Sequence, residues 1–292
     1  MSFGRLITAM VTPFDEHLNI DWEATGRLID YLIDEQKSDS LVVSGTTGES
    51  PTLTDDEKVE LFRFAVKHAA GRCKIIAGSG SNETAHSVHL TKKAEEAGVD
   101  GILLVAPYYN RPTQEGIYQH FRTIAEATSL PIIIYNVPSR TVVSISTETT
   151  LRLAQIPNIV ATKECASMGQ MTEIVSGAPE GFVLYSGDDA VTLPALSVGA
   201  YGIISVASHL IGARMKQLIG AYLDGQVKEA QELNAQLYPV FNGLFNCPHP
   251  VPNPVAVKYA LERRGLSVGG VRLPLVPATD AETQFLRNLI EG

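Results

Sequence analysis

The 292-residue chain is 45% hydrophobic and 19% charged, a length and balance that can bury one large core and often form a single α/β barrel. Its formal net charge of -9 lacks the basic footprint of a nucleic-acid binder, so nucleic acid is not an expected partner. No apolar run reaches bilayer-spanning length, Met1 to Thr8 show no basic start ahead of a long apolar core, and Cys73, Cys165 and Cys247 lie far apart with no CxxC pair. These features point to a cytoplasmic protein away from membranes, with buried thiols rather than a disulfide framework.

Along the chain, short β-branched runs alternate with longer stretches of helical periodicity. Strands are expected at 6–11, 41–44, 74–78, 101–105, 131–136, 159–163, 182–186 and 202–205. After the second, Thr54-Asp55-Asp56-Glu57 ahead of Val59, Leu61, Phe62 and Val66 reads as a capping box opening a helix. Gly98 closes the helical segment before the fourth strand. The pattern predicts an α/β fold, a closed (β/α)8 TIM barrel. After Ser205 it becomes wholly helical, with helices expected over 212–224, 227–245, 254–264 and 280–290. The expected organisation is a catalytic barrel over 1–224 with a C-terminal helical extension over 225–292. A doubly wound sheet is the alternative, weakened by the absence of GxGxxG after the first strand.

In such a barrel the reacting groups project from the C-terminal ends of the strands. Lys163 closes the apolar run Ile159-Val160-Ala161-Thr162. Burial lowers an ammonium's pKa from about 10.4 and leaves neutral amine able to attack a ketone. A lysine that snorkels to solvent or pairs with Glu164 is the bland alternative. Tyr135 ends the preceding strand, where a phenol could pass protons to a neighbouring imine; a core tyrosine with a satisfied hydroxyl fits equally well. Gly45-Thr46-Thr47-Gly48-Glu49-Ser50 could present N–H groups and hydroxyls to a small carboxylate, although turn chemistry alone explains its composition. Tyr108-Tyr109 suits an interface. Arg140 in Ser139-Arg140-Thr141 could clamp a carboxylate, and Gly187 in Ser186-Gly187-Asp188-Asp189 lets backbone approach a ligand. Asp188 and Asp189 are expected to cap a helix starting near Val191 rather than hold a metal, and only His86 and His89 among the histidines are close in sequence, so neither metal nor cofactor is expected.

The segments Gly45-Thr46-Thr47-Gly48-Glu49, Tyr108-Tyr109-Asn110-Arg111-Pro112, Tyr135-Asn136-Val137-Pro138-Ser139-Arg140-Thr141 and Lys163-Glu164, in this order and spacing, resemble the dihydrodipicolinate synthase family. The similarity runs from Ala9-Met10-Val11-Thr12-Pro13-Phe14 to Asn253-Pro254-Val255-Ala256-Val257-Lys258 and Arg272-Leu273-Pro274-Leu275. The resemblance implies that Lys163 forms a Schiff base with pyruvate and that the enamine attacks L-aspartate 4-semialdehyde, a step towards diaminopimelate and lysine. It makes Tyr135 the proton donor and acceptor, with Thr47 and Tyr109 completing a relay. It places Thr46 and Thr47 on the pyruvate carboxylate and Arg140 on the semialdehyde carboxylate, with Gly187 and Ile204 lining the pocket. It also implies a homotetramer, a dimer of dimers in which Tyr109 crosses the tight interface.

Two departures carry expectations of their own. Lysine-inhibited members place histidines after the GTTGE loop, where this chain has Asp55 and Lys58, and a glutamate where it has His86. Feedback by lysine is therefore expected to be weak or absent, although Ser50, Asn82 and Tyr108 remain compatible with that site. Val142-Val143 stands where a glycine is common, which bears on local loop geometry. The nearest alternative activity is that of a sister pyruvate lyase, such as N-acetylneuraminate lyase or a 2-keto-3-deoxy sugar acid aldolase; paired Thr46-Thr47 with Arg140 favours the semialdehyde. A noncatalytic barrel has no need of a buried amine beside a phenol.

Overall fold

Eight parallel strands close on themselves in chain order: β1 (Leu6–Ala9), β2 (Ser40–Val43), β3 (Lys74–Gly78), β4 (Gly101–Val105), β5 (Ile132–Asn136), β6 (Ile159–Glu164), β7 (Val183–Ser186) and β8 (Gly202–Ser205), with β8 pairing back onto β1. The structure, a computed structural model, describes residues 3–291. The strands are short and almost wholly buried, as parallel strands covered on both faces must be. Helices wrap the outside. α2 (Asp55–Ala69) starts on the expected capping box, with Glu57 N donating to Thr54 Oγ1 at 3.2 Å and Thr54 N donating to Glu57 Oε2 at 2.8 Å.

Alternate residues of each strand face opposite ways, and the two buried clusters follow that parity. Ile7, Val42, Ile76, Leu103, Ile133, Tyr135, Ala161, Tyr185 and Ile204 fill the barrel interior. Leu6, Leu41, Ile75, Ile102, Ile134 and Ile203 pack outward under the helices. Between β5 and β6 the register skips one residue, so that Ile132 faces Ile159 but Ile133 faces Ala161. That bulge at Val160 sets Lys163 opposite Tyr135 rather than one residue out of phase.

Beyond β8 come α9 (Ser208–Leu223), α10 (Val227–Gly243), α11 (Val255–Arg263) and α12 (Asp280–Glu291). α9 is broken at Ile211 (φ -132°, ψ 24°), so a short turn from Ser208 precedes a helix that runs on from the expected 212, and Asp189 accepts the N–H groups of Val206 at 3.0 Å and Ala207 at 2.8 Å ahead of that turn. Leu237, Phe241, Val255 and Leu286 belong to the same buried cluster as Leu6 and Met10, so barrel and C-terminal helices share one core.

Candidate active site

Parity carries Lys163 inward, two residues beyond Ala161, and leaves only 5% of it exposed. Its Nζ lies 4.2 Å from the centroid of the Tyr135 ring. Burial pulls the amine below its ordinary 10.5; Arg140 acts in the same sense, while Cys165 and Asp189 oppose it. Glu164 is not its partner. That carboxylate points to the other face of β6, where Asn136 Nδ2 donates to both oxygens at 2.9 and 3.1 Å and Ala166 N donates at 2.8 Å. Burial pushes Glu164 up to about 7. The pairing alternative for Lys163 is thereby removed, and its ammonium has no carboxylate within ion-pair distance among the described residues.

The Tyr135 phenol is buried and held well above its usual range by that burial and by Cys165, while Arg140 and the Thr46 hydroxyl act the other way. The family resemblance gives Thr47 a place in the relay from this phenol. The loop turns so that the Thr47 hydroxyl accepts from Asn253 Nδ2 at 2.9 Å. Within the 45–50 loop the N–H groups of Gly48, Glu49 and Ser50 are bonded back to Gly45 O and Thr46 O. Those of Thr46 and Thr47 donate to no group among the described residues. Two unclaimed N–H groups beside two hydroxyls form a concavity suited to a carboxylate.

Thr46, Tyr135 and Arg140 line a cavity of about 540 Å³. Arg140 sits exposed on the short helix α5 (Pro138–Thr141), with no ion pair among the described residues, and its charge is felt at both Tyr135 and Lys163. Thr47, Lys163, Gly187 and Ile204 are not on the cavity wall. Ile204 belongs to the barrel interior with Tyr135 and Tyr185. Gly187 is required by space: a Cβ there would come within 2.3 Å of Cys165 Sγ and 2.8 Å of Lys163 Cε. Tyr109 does not line the cavity and stands 90% exposed on a left-handed backbone with φ 71°.

The same cavity continues to Lys58, His86 and Tyr108. There Asp55 is occupied on both oxygens, by His86 Nε2 at 2.7 Å and by the Lys58 ammonium at 3.7 Å. Sequence reasoning missed Asp189. Asp188 does cap, accepting from Ala190 N at 2.9 Å, but Asp189 is corrected: its carboxylate turns inward to Ser205 Oγ at 2.5 Å and to the N–H groups ahead of α9. It also missed Asn253, whose only signal was its place in the Asn253-Pro254 segment.

A desolvated lysine near the end of the sixth strand and a buried phenol directly opposite it on the fifth, above a cavity that Thr46 also lines, are the arrangement of a Schiff-base-forming lyase barrel of the class I aldolase type. The chain belongs to the dihydrodipicolinate synthetase family, whose model matches residues 2–292. It is 54% identical over 292 residues to the 4-hydroxy-tetrahydrodipicolinate synthase of Bacillus subtilis (strain 168), across 99% of each chain. Dihydrodipicolinate synthase of Bacillus anthracis matches its structure with a TM-score of 0.97 at 51% identity, over 100% of this chain and 99% of that one. The enzyme of Cyanidioschyzon merolae, solved with lysine bound, matches with a TM-score of 0.96 at 44% identity, over 99% and 97%.

Proposed function

We propose that this chain condenses pyruvate with L-aspartate 4-semialdehyde, the reaction of a 4-hydroxy-tetrahydrodipicolinate synthase. The observation that carries the reading is the buried amine of Lys163, free of a carboxylate partner and set against Tyr135. Neutral Lys163 attacks the pyruvate ketone, the carbinolamine loses water, and the iminium sheds a methyl proton to become an enamine. The enamine carbon attacks the aldehyde. The amino group of the semialdehyde then adds to the iminium carbon and expels Lys163 as the ring closes.

Protons must move at each stage; Tyr135 moves them in this reading, with Thr47 and Tyr109 as the relay that the family resemblance gives and the Thr46 hydroxyl also acting on the phenol. The N–H groups and hydroxyls of Thr46 and Thr47 hold the keto-acid carboxylate, and Arg140 receives the second substrate's carboxylate bidentately. Gly187 leaves room for the Lys163 side chain, and Ile204 packs in the barrel interior with Tyr135. Tyr109 serves a neighbouring subunit, which makes a tight dimer part of the mechanism and a dimer of dimers the assembly. Three free cysteines spread through the fold suit the cytoplasm.

With Asp55 already engaged by His86 and Lys58, an incoming ammonium meets a cation and finds no free carboxylate, so lysine is expected to inhibit weakly or not at all. Half-maximal inhibition at physiological lysine would contradict this. The activity itself is tested by offering pyruvate with either the semialdehyde or sugar-derived aldehydes, and following product through a dihydrodipicolinate reductase and NADPH loss or through pyruvate consumption. Turnover is expected with the semialdehyde; turnover with sugar aldehydes alone would move the chain to a sister lyase.

A further inference from the structure

The 45–50 loop is held by a part of the chain far away in sequence. Asn253 Nδ2 donates to Thr47 Oγ1 at 2.9 Å. The Lys258 ammonium lies 2.8 Å from Glu49 Oε1 with both side chains almost wholly buried. That ammonium donates to Gly270 O at 2.6 Å and covers the Phe14 ring at 4.1 Å. Glu49 Oε2 accepts the Arg272 N–H at 2.9 Å. Glu49 itself has a left-handed φ of 57°, which a non-glycine residue keeps only where its surroundings hold it. Its carboxylate therefore faces the C-terminal segment and acts as a strut, not as a ligand for substrate.

The contact with Thr47 has a chemical sense. An amide N–H fills a lone pair of the hydroxyl, so the hydroxyl's own proton is left to donate, and among the described residues no acceptor takes it. A bound carboxylate would. We infer that Asn253 is a positioning residue for carboxylate binding, orienting the Thr47 hydroxyl, and that Lys258 acts through Glu49 to hold the loop so that the Thr46 and Thr47 N–H groups converge. The helical region after the barrel is, in this account, part of the keto-acid site. The inference rests on the keto-acid reading of that loop given above.

A double-mutant cycle separates positioning from general support. Asn253→Ala, Thr47→Val and the double variant are assayed for pyruvate KM, semialdehyde KM, kcat and thermal midpoint. Asn253→Ala is expected to raise the pyruvate KM about tenfold, the equivalent of one lost hydrogen bond, with the semialdehyde KM and the midpoint near wild type. The double variant is expected to be no worse than Thr47→Val alone. An unchanged pyruvate KM, or effects of the two substitutions that simply multiply, would overturn the role of Asn253.

Lys258→Met alone strands a buried carboxylate and risks unfolding, so the Lys258→Met/Glu49→Gln pair, which removes both charges, is the variant to read. A folded pair with raised pyruvate KM supports the strut; a folded pair with wild-type KM removes it. Borohydride reduction of wild type with pyruvate is run alongside. If wild type yields no reduced adduct, the keto-acid reading fails and takes this inference with it; if it does and the variants match it, only this inference fails.

Discussion

Gly187 is where the geometry of the amine is most exposed to a single change. A methyl group placed there meets Cys165 Sγ and Lys163 Cε at 2.3 and 2.8 Å, distances that real Cβ atoms do not show, so Gly187→Ala must displace the lysine. The expected result is a loss of kcat on the order of a hundredfold with little change in far-UV circular dichroism, since about an ångström of misplacement costs that much. Activity near wild type would mean that the lysine is not held where Gly187 leaves room. Lys163 itself carries a pH prediction. Because burial lowers its pKa from 10.5, neutral amine appears at lower pH than for free lysine, and the rate of adduct formation with pyruvate should level off below that value. A rate still climbing at the pKa of free lysine would count against a desolvated amine.

Glu164 gives a stability prediction of definite sign. Its folded pKa is raised from 4.5 to about 7, so its favourable contribution is complete below 4.5 and is lost as pH rises through 7. The linkage amounts to roughly 3 kcal/mol at most. Glu164→Gln should therefore gain thermal midpoint relative to wild type at about pH 8 and lose that advantage at about pH 4. Parallel midpoints across that range would show that the carboxyl is not perturbed. At this scale the sequence was partly legible: a lysine and a tyrosine ending apolar strands are visible as such. Which hydroxyl of the Thr46-Thr47 pair meets Asn253 was not, because adjacent identical residues differ only in which way the turn points them, and the partner of Thr47 lies 206 positions away.

Elements were legible where hydrophobic period decides them. Lys74–Gly78, Gly101–Val105 and Gly202–Ser205 fall at the expected residues because apolar β-branched runs there have abrupt polar or glycine ends. The bulge in β6 could not be read, since an extra residue in one strand is defined by its pairing with β5 and not by its own composition. The short turn that precedes the Ile211 kink in α9 was hidden for the same reason: its entry donors are met by Asp189 from the preceding βα unit. Val142, which follows α5, adopts φ 66° while 67% exposed, so its β-branched side chain strains the backbone and contributes little packing. Val142→Gly is expected to raise the thermal midpoint by about 2 °C, relief of an αL penalty of about 1–2 kcal/mol being partly offset by glycine's greater freedom when unfolded. A lowered midpoint would mean that Val142 makes a contact in the assembly.

In the whole molecule, the proposed dimer makes one chain an incomplete catalyst, and Tyr109, 90% exposed on a left-handed backbone, is the side chain that the proposal sends to a neighbouring subunit. A substitution that separates the proposed dimer is expected to lower kcat markedly while leaving the barrel folded, checked by sedimentation at assay concentration; full turnover by a demonstrated monomer would contradict it. Sharing one core between the barrel and the C-terminal helices, as Leu286 and Leu6 do, further predicts that the region after Leu223 cannot be deleted without unfolding the barrel.

The most direct test of the account is borohydride reduction of the protein with pyruvate, followed by peptide mass mapping, with Lys163→Ala treated in parallel. One reduced pyruvyl group on the peptide containing Lys163, absent from the variant, is the predicted result. An adduct on another lysine, or equal labelling of the variant, would contradict it.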